Sequence, residues 1–397
     1  MLFRPELSCF SAGKNLKTFI LLALSAAALG LWVSGGFLFA GGRQAAGSAD
    51  MAVSAAEVPE TLAGQEEVPA LPGEPAAPDG GDAGGVSLNS APQEPDRFRM
   101  AAVPGSLRAG EPVTIGLAVP ADAGGGESLP VYAVLVNGQG RRLGRAAFFA
   151  LPGDPDGPAE TAGKVLAAVL AVPSTLRPGE AFIRTEPPIE GLEDLPLTVM
   201  ERDFVSETIE LNEKNTDLRT GEDTKKTVEA EQLWAVLRRP GNTVYALEAF
   251  EAPVASTRRT SFFGDRRVYR YVDGSTDTAI HAGIDYGVPR GTEVRACASG
   301  KVVLARPRIV TGNSVVVEHL PGLYSLYYHL DTLAVAEGGL VEKGGLLGES
   351  GATGLATGPH LHWEIRVAGE NADPDAFVER YILDKAAILS KLFEYKE

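Results

Sequence analysis

Five histidines stand in the last third of this 397-residue chain, and four of them fall into short motifs with one carboxylate. His281 and Asp285 lie in HAGID, His329 closes YSLYYHL, and His360 and His362 flank one leucine in GPHLHWE. Imidazole is the commonest protein ligand for transition metals and the commonest proton shuttle near neutral pH. On a strand, side chains two apart point the same way, so His360 and His362 turn toward one cleft while Leu361 and Trp363 turn away. His281 and Asp285, separated by Gly283 where a loop enters a strand, can converge on a common ion. Two imidazoles and one carboxylate make three ligands, the usual protein complement of a catalytic zinc that keeps a fourth position for water. One or two histidines then remain for acid and base work. His329 is a candidate, at the end of a strand in which Ser325, Tyr327 and His329 are expected to share a face.

The blocks SFFGDRR, HAGIDYGVPRGTEV, ACASGKVV, GNSVVVEH, YSLYYHL, VEKGGLLGESGATGLATGPHLHWEIR and DPDAF follow in this order over most of residues 261–375. Together they resemble the lysostaphin-type (LytM-like) zinc metallopeptidases, a family of peptidoglycan endopeptidases. The resemblance implies that His281, Asp285 and His362 bind one Zn2+ per catalytic domain. It also implies that His329 and His360 are catalytic, flanking the metal-activated water, with peptide cross-links or stems of peptidoglycan as substrate. His319, in VVVEHL, is expected outside the metal site as a hydrogen-bonded strand-end residue. Two rival functions stand beside this one. Some relatives of the fold lack the ligands and regulate cell-wall amidases through coiled-coil arms, but this chain keeps every ligand and has no such arm. A zinc peptidase acting on secreted proteins would use the same site.

Several neighbouring residues have two roles open to them. Asn313 fits a turn or the substrate groove, and Tyr269 and Tyr271 fit the core or an oxyanion donor. Glu364, on the His362 face by strand alternation, reads as a surface or strand-pair charge in preference to a support for the site. Gly351, Gly354 and Gly358 serve backbone turns.

The elements that must position these groups are mostly β. Short apolar runs (EVRACASG, KVVLARP, SVVVEHL, YSLYYHL, LHWEIRV) between glycine turns predict a compact antiparallel sheet domain over 245–380, followed by a C-terminal helix over 381–397. Upstream, PVTIGLAV, PVYAVLVN, RAAFFAL, VLAAVLAV, EAFIRT and PLTVME alternate with turn signals. They predict a small antiparallel β-sandwich over 97–203, weakly similar to bacterial immunoglobulin-like modules and expected to act as a spacer. A polar connector over 204–244 carries one predicted helix, capped by Thr224, with Val228, Leu233, Trp234 and Leu237 on its apolar face. The stretch around Asn212 to Asp223 and the sandwich are the candidates for an inhibitory gate.

The N-terminal hundred residues bear on where such chemistry is delivered. Arg4, Lys14 and Lys17 in a tail over 1–17 precede an apolar run over 18–40, which at 1.5 Å per residue can span a hydrocarbon core of about 30 Å. The positive flank places the tail in the cytoplasm and the rest outside. A cleaved signal peptide, cut near Ala26-Ala27-Ala28 or Ser34-Gly35-Gly36, is the competing interpretation, but the run exceeds the roughly 7 to 15 apolar residues of a signal core. A single-pass anchor in the inner membrane with the catalytic domain in the periplasm follows. Residues 41–96 lack aromatics and are rich in Ala, Pro, Gly and Glu, which predicts a disordered tether with a coil span of about 40 Å and an extended reach of roughly 150 Å. The net charge of −16 argues against a nucleic-acid partner, because phosphate binding needs clustered Lys and Arg. Cys9 and Cys297 fall on opposite sides of the predicted anchor and cannot pair.

Overall fold

The computed structural model describes residues 97–120, 131–152, 165–381 and 383–393. The predicted tail, apolar run and tether over 1–96 lie outside them. Among the described residues no helix is long and apolar enough to cross a membrane.

Among the described residues nine strands make up the upstream sheets: β1 (Arg99–Val103), β2 (Ser106–Arg108), β3 (Pro112–Ala118), β4 (Tyr132–Asn137), β5 (Arg142–Ala147), β6 (Phe149–Ala150), β7 (Val165–Ala171), β8 (Gly179–Glu186) and β9 (Leu195–Met200). One sheet has the order β1-β3-β7-β6 and the other β2-β9-β8-β4-β5. The expectation of a purely antiparallel arrangement is corrected by β2, which runs parallel to β9. Strands β3 and β7 are buried at every residue, and alternation explains why. Leu166, Ala168 and Leu170 face the second sheet with Val113, Ile115 and Leu117. Val165, Ala167, Val169 and Ala171 face the other way, into the core of the C-terminal domain. A run with both faces apolar is the mark of a strand covered on both sides. The upstream sheets are therefore packed against the C-terminal domain as well as against each other.

The connector also departs from expectation. It holds a strand, β10 (Ser206–Glu210), and two helices, α1 (Glu213–Thr220) and α2 (Thr224–Leu237), where one helix was predicted. Asn212 caps α1 through its side chain. Asp223, not Thr224, caps α2, accepting from Lys225 N. On α2, Leu237 is buried and Leu233 and Trp234 pack beside it, whereas Val228 is exposed.

The C-terminal domain contains β11 (Arg259–Ser261), β12 (Arg266–Arg270), β13 (Thr276–Ile280), β14 (Gly283–Tyr286), β15 (Glu293–Arg295), β16 (Gly300–Arg308), β17 (Gly312–Leu320), β18 (Leu323–Leu333), β19 (Leu340–Val341), β20 (Leu346–Ser350), β21 (Leu361–Val367) and β22 (Glu370–Ala372). A short helix α3 (Asp375–Val378) and helix α4 (Lys385–Phe393) follow. Ten strands join one antiparallel sheet with the path β11-β14-β21-β18-β17-β16-β19. Strands β12 and β13 form a second, small sheet that takes β10 as a parallel third member, so the expected boundary at residue 245 is crossed by strand pairing. Helix α4 begins at Lys385 where a start at 381 was expected, and it packs on β3, where Gly116 leaves room for Ile388 and Leu392.

Within the large sheet, β14 and β21 approach so closely that a Cβ on Gly283 would stand 2.1 Å from the Trp363 carbonyl oxygen. Backbone cannot retreat from such a contact as a side-chain tip can. Gly283→Ala should therefore lower the unfolding free energy by about 1–3 kcal/mol, the usual range for overpacking, as read by urea denaturation.

Candidate metal centre

The register of β14 against β21 sets Asp285 directly opposite His362, and that of β18 against β21 sets Tyr328 opposite His362. Directly paired residues share a sheet face, so Asp285 and His362 meet, and the Tyr328 ring lies nearly parallel to the His362 imidazole with centroids 5.6 Å apart. His281 arrives from the end of β13. The turn made by SFFGDRR holds it there: Gly264 N donates to His281 O, His281 N donates to Asp265 O, and Asp265 accepts from Phe262 N. Gly264 has φ +82° and supplies the left-handed residue of that turn.

These elements bring His281, Asp285 and His362 into one buried cluster, with ligand atoms all within 4.8 Å of one another. His362 Nδ1 is 2.6 Å from Asp285 Oδ1, His281 Nε2 is 3.1 Å from the same oxygen, and the two ring nitrogens are 3.0 Å apart. The outer edge of each ring is already committed. His281 Nδ1 donates to Phe262 O at 2.8 Å, and His362 Nε2 donates to Glu364 Oε1 at 3.0 Å. Those two bonds fix the neutral tautomers, so His281 Nε2, His362 Nδ1 and Asp285 Oδ1 turn three lone pairs toward one point. Lone pairs cannot satisfy one another, and only a cation between them can. A tetrahedral zinc with bonds of about 2.0–2.1 Å separates its donors by roughly 3.3 Å, so the cluster accepts one by opening a few tenths of an ångström. The donor set and its spacing fit the ion.

Without a metal a proton takes that place. Burial works against it, but the Asp285 carboxylate and then Glu364 hold His362 up to about 9. Burial raises the Asp285 carboxyl, yet the two imidazoles outweigh this and keep it well below the usual range. His281 is lowered, chiefly by burial.

His360 and His329 lie beside the cluster without joining it. His360 Nε2 is 4.0 Å from Asp285 Oδ1, and Nδ1 donates to Gly358 O at 2.8 Å. His360 precedes β21 and bridges Gly351. The His329 ring centroid lies 4.7 Å from that of His360. Nδ1 of His329 donates to Thr353 O at 2.8 Å, which leaves its Nε2 as an acceptor. Burial, then the His360 and His362 rings, push its pKa down to about 3.

The route by which His329 reaches the site corrects the sequence expectation. Between Val315↔Tyr327 and Asn313↔Leu330 the ladder advances two residues on β17 and three on β18, a bulge with one extra residue. Within it His329 adopts φ 60°, left-handed for a non-glycine residue. Ser325 and Tyr327 face a buried cluster with His319 and Cys297, and the bulge turns His329 to the opposite side. His319 is structural as expected. Its Nδ1 donates to Ser299 O, its Nε2 meets Ser325 Oγ at 2.7 Å, and burial drives its pKa down to about 4.

Asn313 takes its turn role, bonding Asp331 O and Thr353 Oγ1. Tyr271 pairs with Arg219 and Asp277, whereas Tyr269, with the Arg219 guanidinium over its ring, lines the groove beside the metal cluster. Glu364 is the main correction. It is 5% exposed and bonded to the His362 ring and to Arg366, a buried support rather than a surface charge. Its spacing from His362 pointed to this, but nothing in the sequence showed that the face is covered. Arg267 closes the SFFGDRR block but was given no role of its own, and Glu207 carried no signal. Arg267 bonds the second oxygen of Asp285, and Glu207 bonds Arg267.

The cluster opens into a groove of about 410 Å³. Ile209, Leu211 and Asn215 of the upstream segment line it together with Leu355, Ala356 and Pro359 of the loop before His360. Asn215 Nδ2 donates to Ala356 O, joining α1 to that loop.

Comparison with known proteins agrees with the donor set. Residues 279–374 match the family described as Peptidase family M23. Over 122 residues, 31% of this chain, the sequence is 40% identical to the DD-carboxypeptidase/endopeptidase Mpg of Neisseria meningitidis serogroup B, covering 27% of that protein. Over 136 residues, 34% of this chain, it is 35% identical to the peptidoglycan DD-endopeptidase ShyB of Vibrio cholerae, covering 31% of that protein. The chain thus spans less than a third of the length of these relatives. The solved structure of lysostaphin from Staphylococcus simulans, an antimicrobial peptidase, matches with 30% identity, 31% of this chain, 49% of that chain and a TM-score of 0.26. The matched residues 279–374 include all four histidines of the site and Asp285, but neither Arg267 nor Glu207.

The raised pKa of His362 has a sign that can be measured. A proton bound more tightly in the folded state stabilises that state fully below the free value of 6.5 and ceases to do so as pH rises through about 9. The metal-free protein should lose unfolding free energy between these pH values, whereas zinc-loaded protein, with the proton displaced, should not. Urea titrations across that range test this; a flat metal-free profile contradicts it.

Proposed function

We propose that this protein is a zinc-dependent endopeptidase that hydrolyses peptide cross-links or stems of peptidoglycan in the cell envelope. The observation that carries this is the convergence of three lone pairs, with tautomers fixed from behind, at the floor of an open groove flanked by two further imidazoles. The relatives described as a DD-carboxypeptidase/endopeptidase and a peptidoglycan DD-endopeptidase support the substrate class.

A bound zinc would be held by His281, Asp285 and His362, and it supplies Lewis acidity that polarises the scissile carbonyl and acidifies a water. The rest is done by the chain. The groove, bordered by apolar Ile209, Leu211 and Leu355, holds an extended peptide across the cluster. His329 stays neutral at physiological pH and presents only an acceptor nitrogen, which orients the attacking water by receiving one of its hydrogen bonds. His360 is less buried, with Nδ1 committed to Gly358 O and Nε2 4.0 Å from Asp285 Oδ1, and takes the proton that the water loses. It then returns that proton to the departing amine, as general acid-base catalysis requires. With Nδ1 of His329 committed to Thr353 O, an oxyanion-donor role for that ring would first require a change of tautomer.

We further propose that residues 18–40 anchor the chain in the inner membrane and that residues 41–96 tether the catalytic domain on the periplasmic side. The apolar run with its basic flank supports the anchor, and composition supports the tether.

Purified protein incubated with sacculi should release new muropeptides, identified by mass spectrometry, and a chelator should stop the release. His360→Ala should retain zinc yet lose about 10²–10⁴-fold in rate, the usual contribution of a general acid or base. His362→Ala should lose zinc and activity together. Cleavage that persists in chelator or in His362→Ala refutes the proposal.

A further inference from the structure

Asp285 has two carboxylate oxygens, and the three-donor cluster uses one of them. Oδ1 faces His281 and His362, while Oδ2 accepts a hydrogen bond of 2.7 Å from Arg267 Nη2. Arg267 is gripped from its other side as well. Its Nε donates to Glu207 Oε1 at 2.7 Å, and Ser261 Oγ donates to the same carboxylate oxygen at 3.1 Å. The Arg267 side chain is only 12% exposed. Glu207 on β10 and Arg267 on β12 are register partners in the parallel pair, so a backbone ladder sets the distance between them.

A carboxylate facing a cation can offer one oxygen or two, and rotation about its last side-chain bond interconverts the choices. A guanidinium is planar, permanently charged and directional, so a hydrogen bond from it to Oδ2 removes that freedom. It also draws electron density from the carboxylate, which tunes how strongly Oδ1 can donate. Groups hydrogen-bonded to metal ligands act in this way generally, and their loss typically costs 10–100-fold in metal affinity. The arginine in turn needs a counter-charge, because a buried cation beside a metal would repel it. Glu207 supplies that charge.

We propose that Arg267, set in place by Glu207, is a positioning residue of the metal centre, holding Asp285 as a one-oxygen ligand. The proposal rests on the metal-binding function argued above. It makes β10, which lies upstream of residues 279–374, a working part of the site. A truncated chain begun after the connector would lose this support even with all five motif residues intact.

The test uses the full chain and reads metal binding directly, by competition with a chromophoric chelator for zinc and by the visible absorption of the cobalt(II)-substituted protein. Arg267→Gln should weaken zinc about 10–100-fold and dim the cobalt bands, since a carboxylate free to bind through both oxygens raises the coordination number. Arg267→Lys, which keeps the charge but not the fork, should fall between Arg267→Gln and wild type. Glu207→Gln should weaken zinc less than Arg267→Gln. A purely architectural pair would instead lower the melting temperature while leaving zinc affinity and the cobalt spectrum of the folded protein unchanged, and that result overturns the proposal. Should Arg267→Gln fail to fold, wild-type zinc affinity in both Arg267→Lys and Glu207→Gln overturns it equally. Absence of zinc binding by the wild-type chain would sink the metal function itself, and this inference with it.

Discussion

Three lone pairs aimed at one point are an unstable arrangement unless something behind each donor prevents it from turning away. Phe262 O does this for His281, Glu364 for His362, and Arg267 for Asp285. Each restraint comes from a different piece of chain: the FGD turn, the sheet face around β21, and the small sheet of β10, β12 and β13. The register of β14 against β21, and the glycine that lets them touch, then place the restrained donors together. Much of the C-terminal architecture can be understood as the means of keeping these donors from relaxing into hydrogen bonds elsewhere.

Charge follows the same geometry. Glu207, Arg267 and Asp285 alternate in sign on one side of the cluster, and Glu364 and Arg366 alternate on the other beyond His362. The row is balanced only if its centre is positive. The elevated His362 pKa is the response of the metal-free row to that demand. The neutral His329 adds no positive charge of its own beside a site meant for a cation.

The sequence revealed donors more readily than supports. His281, Asp285, His360 and His362 were legible because short local spacings, H-x-x-x-D and H-x-H, translate directly into shared faces. His329 was legible as a site residue but not for the right reason, since alternation assigns it to the face of Tyr327 and only a bulge with a left-handed residue reverses it. Glu364 shares a face with His362 on any strand, yet its burial depends on what covers that face. The pairing of Glu207 with Arg267 spans 60 residues and two elements, one of them a strand hidden in a polar connector. Similarly, VLAAVLAV reads as a strand at once, whereas the identity of its two apolar neighbours emerges only in three dimensions.

The packing of α4 bears on the order in which the molecule can be assembled. Ile388 and Leu392 fill the space over Gly116, and Lys391 Nζ bonds Ala102 O across 289 residues of sequence. A chain delivered from its N-terminus first presents β1 and β3 with an apolar face still bare, and the residues that cover it emerge only after the ten-stranded sheet has passed. The first sheet to appear is thus among the last to be finished.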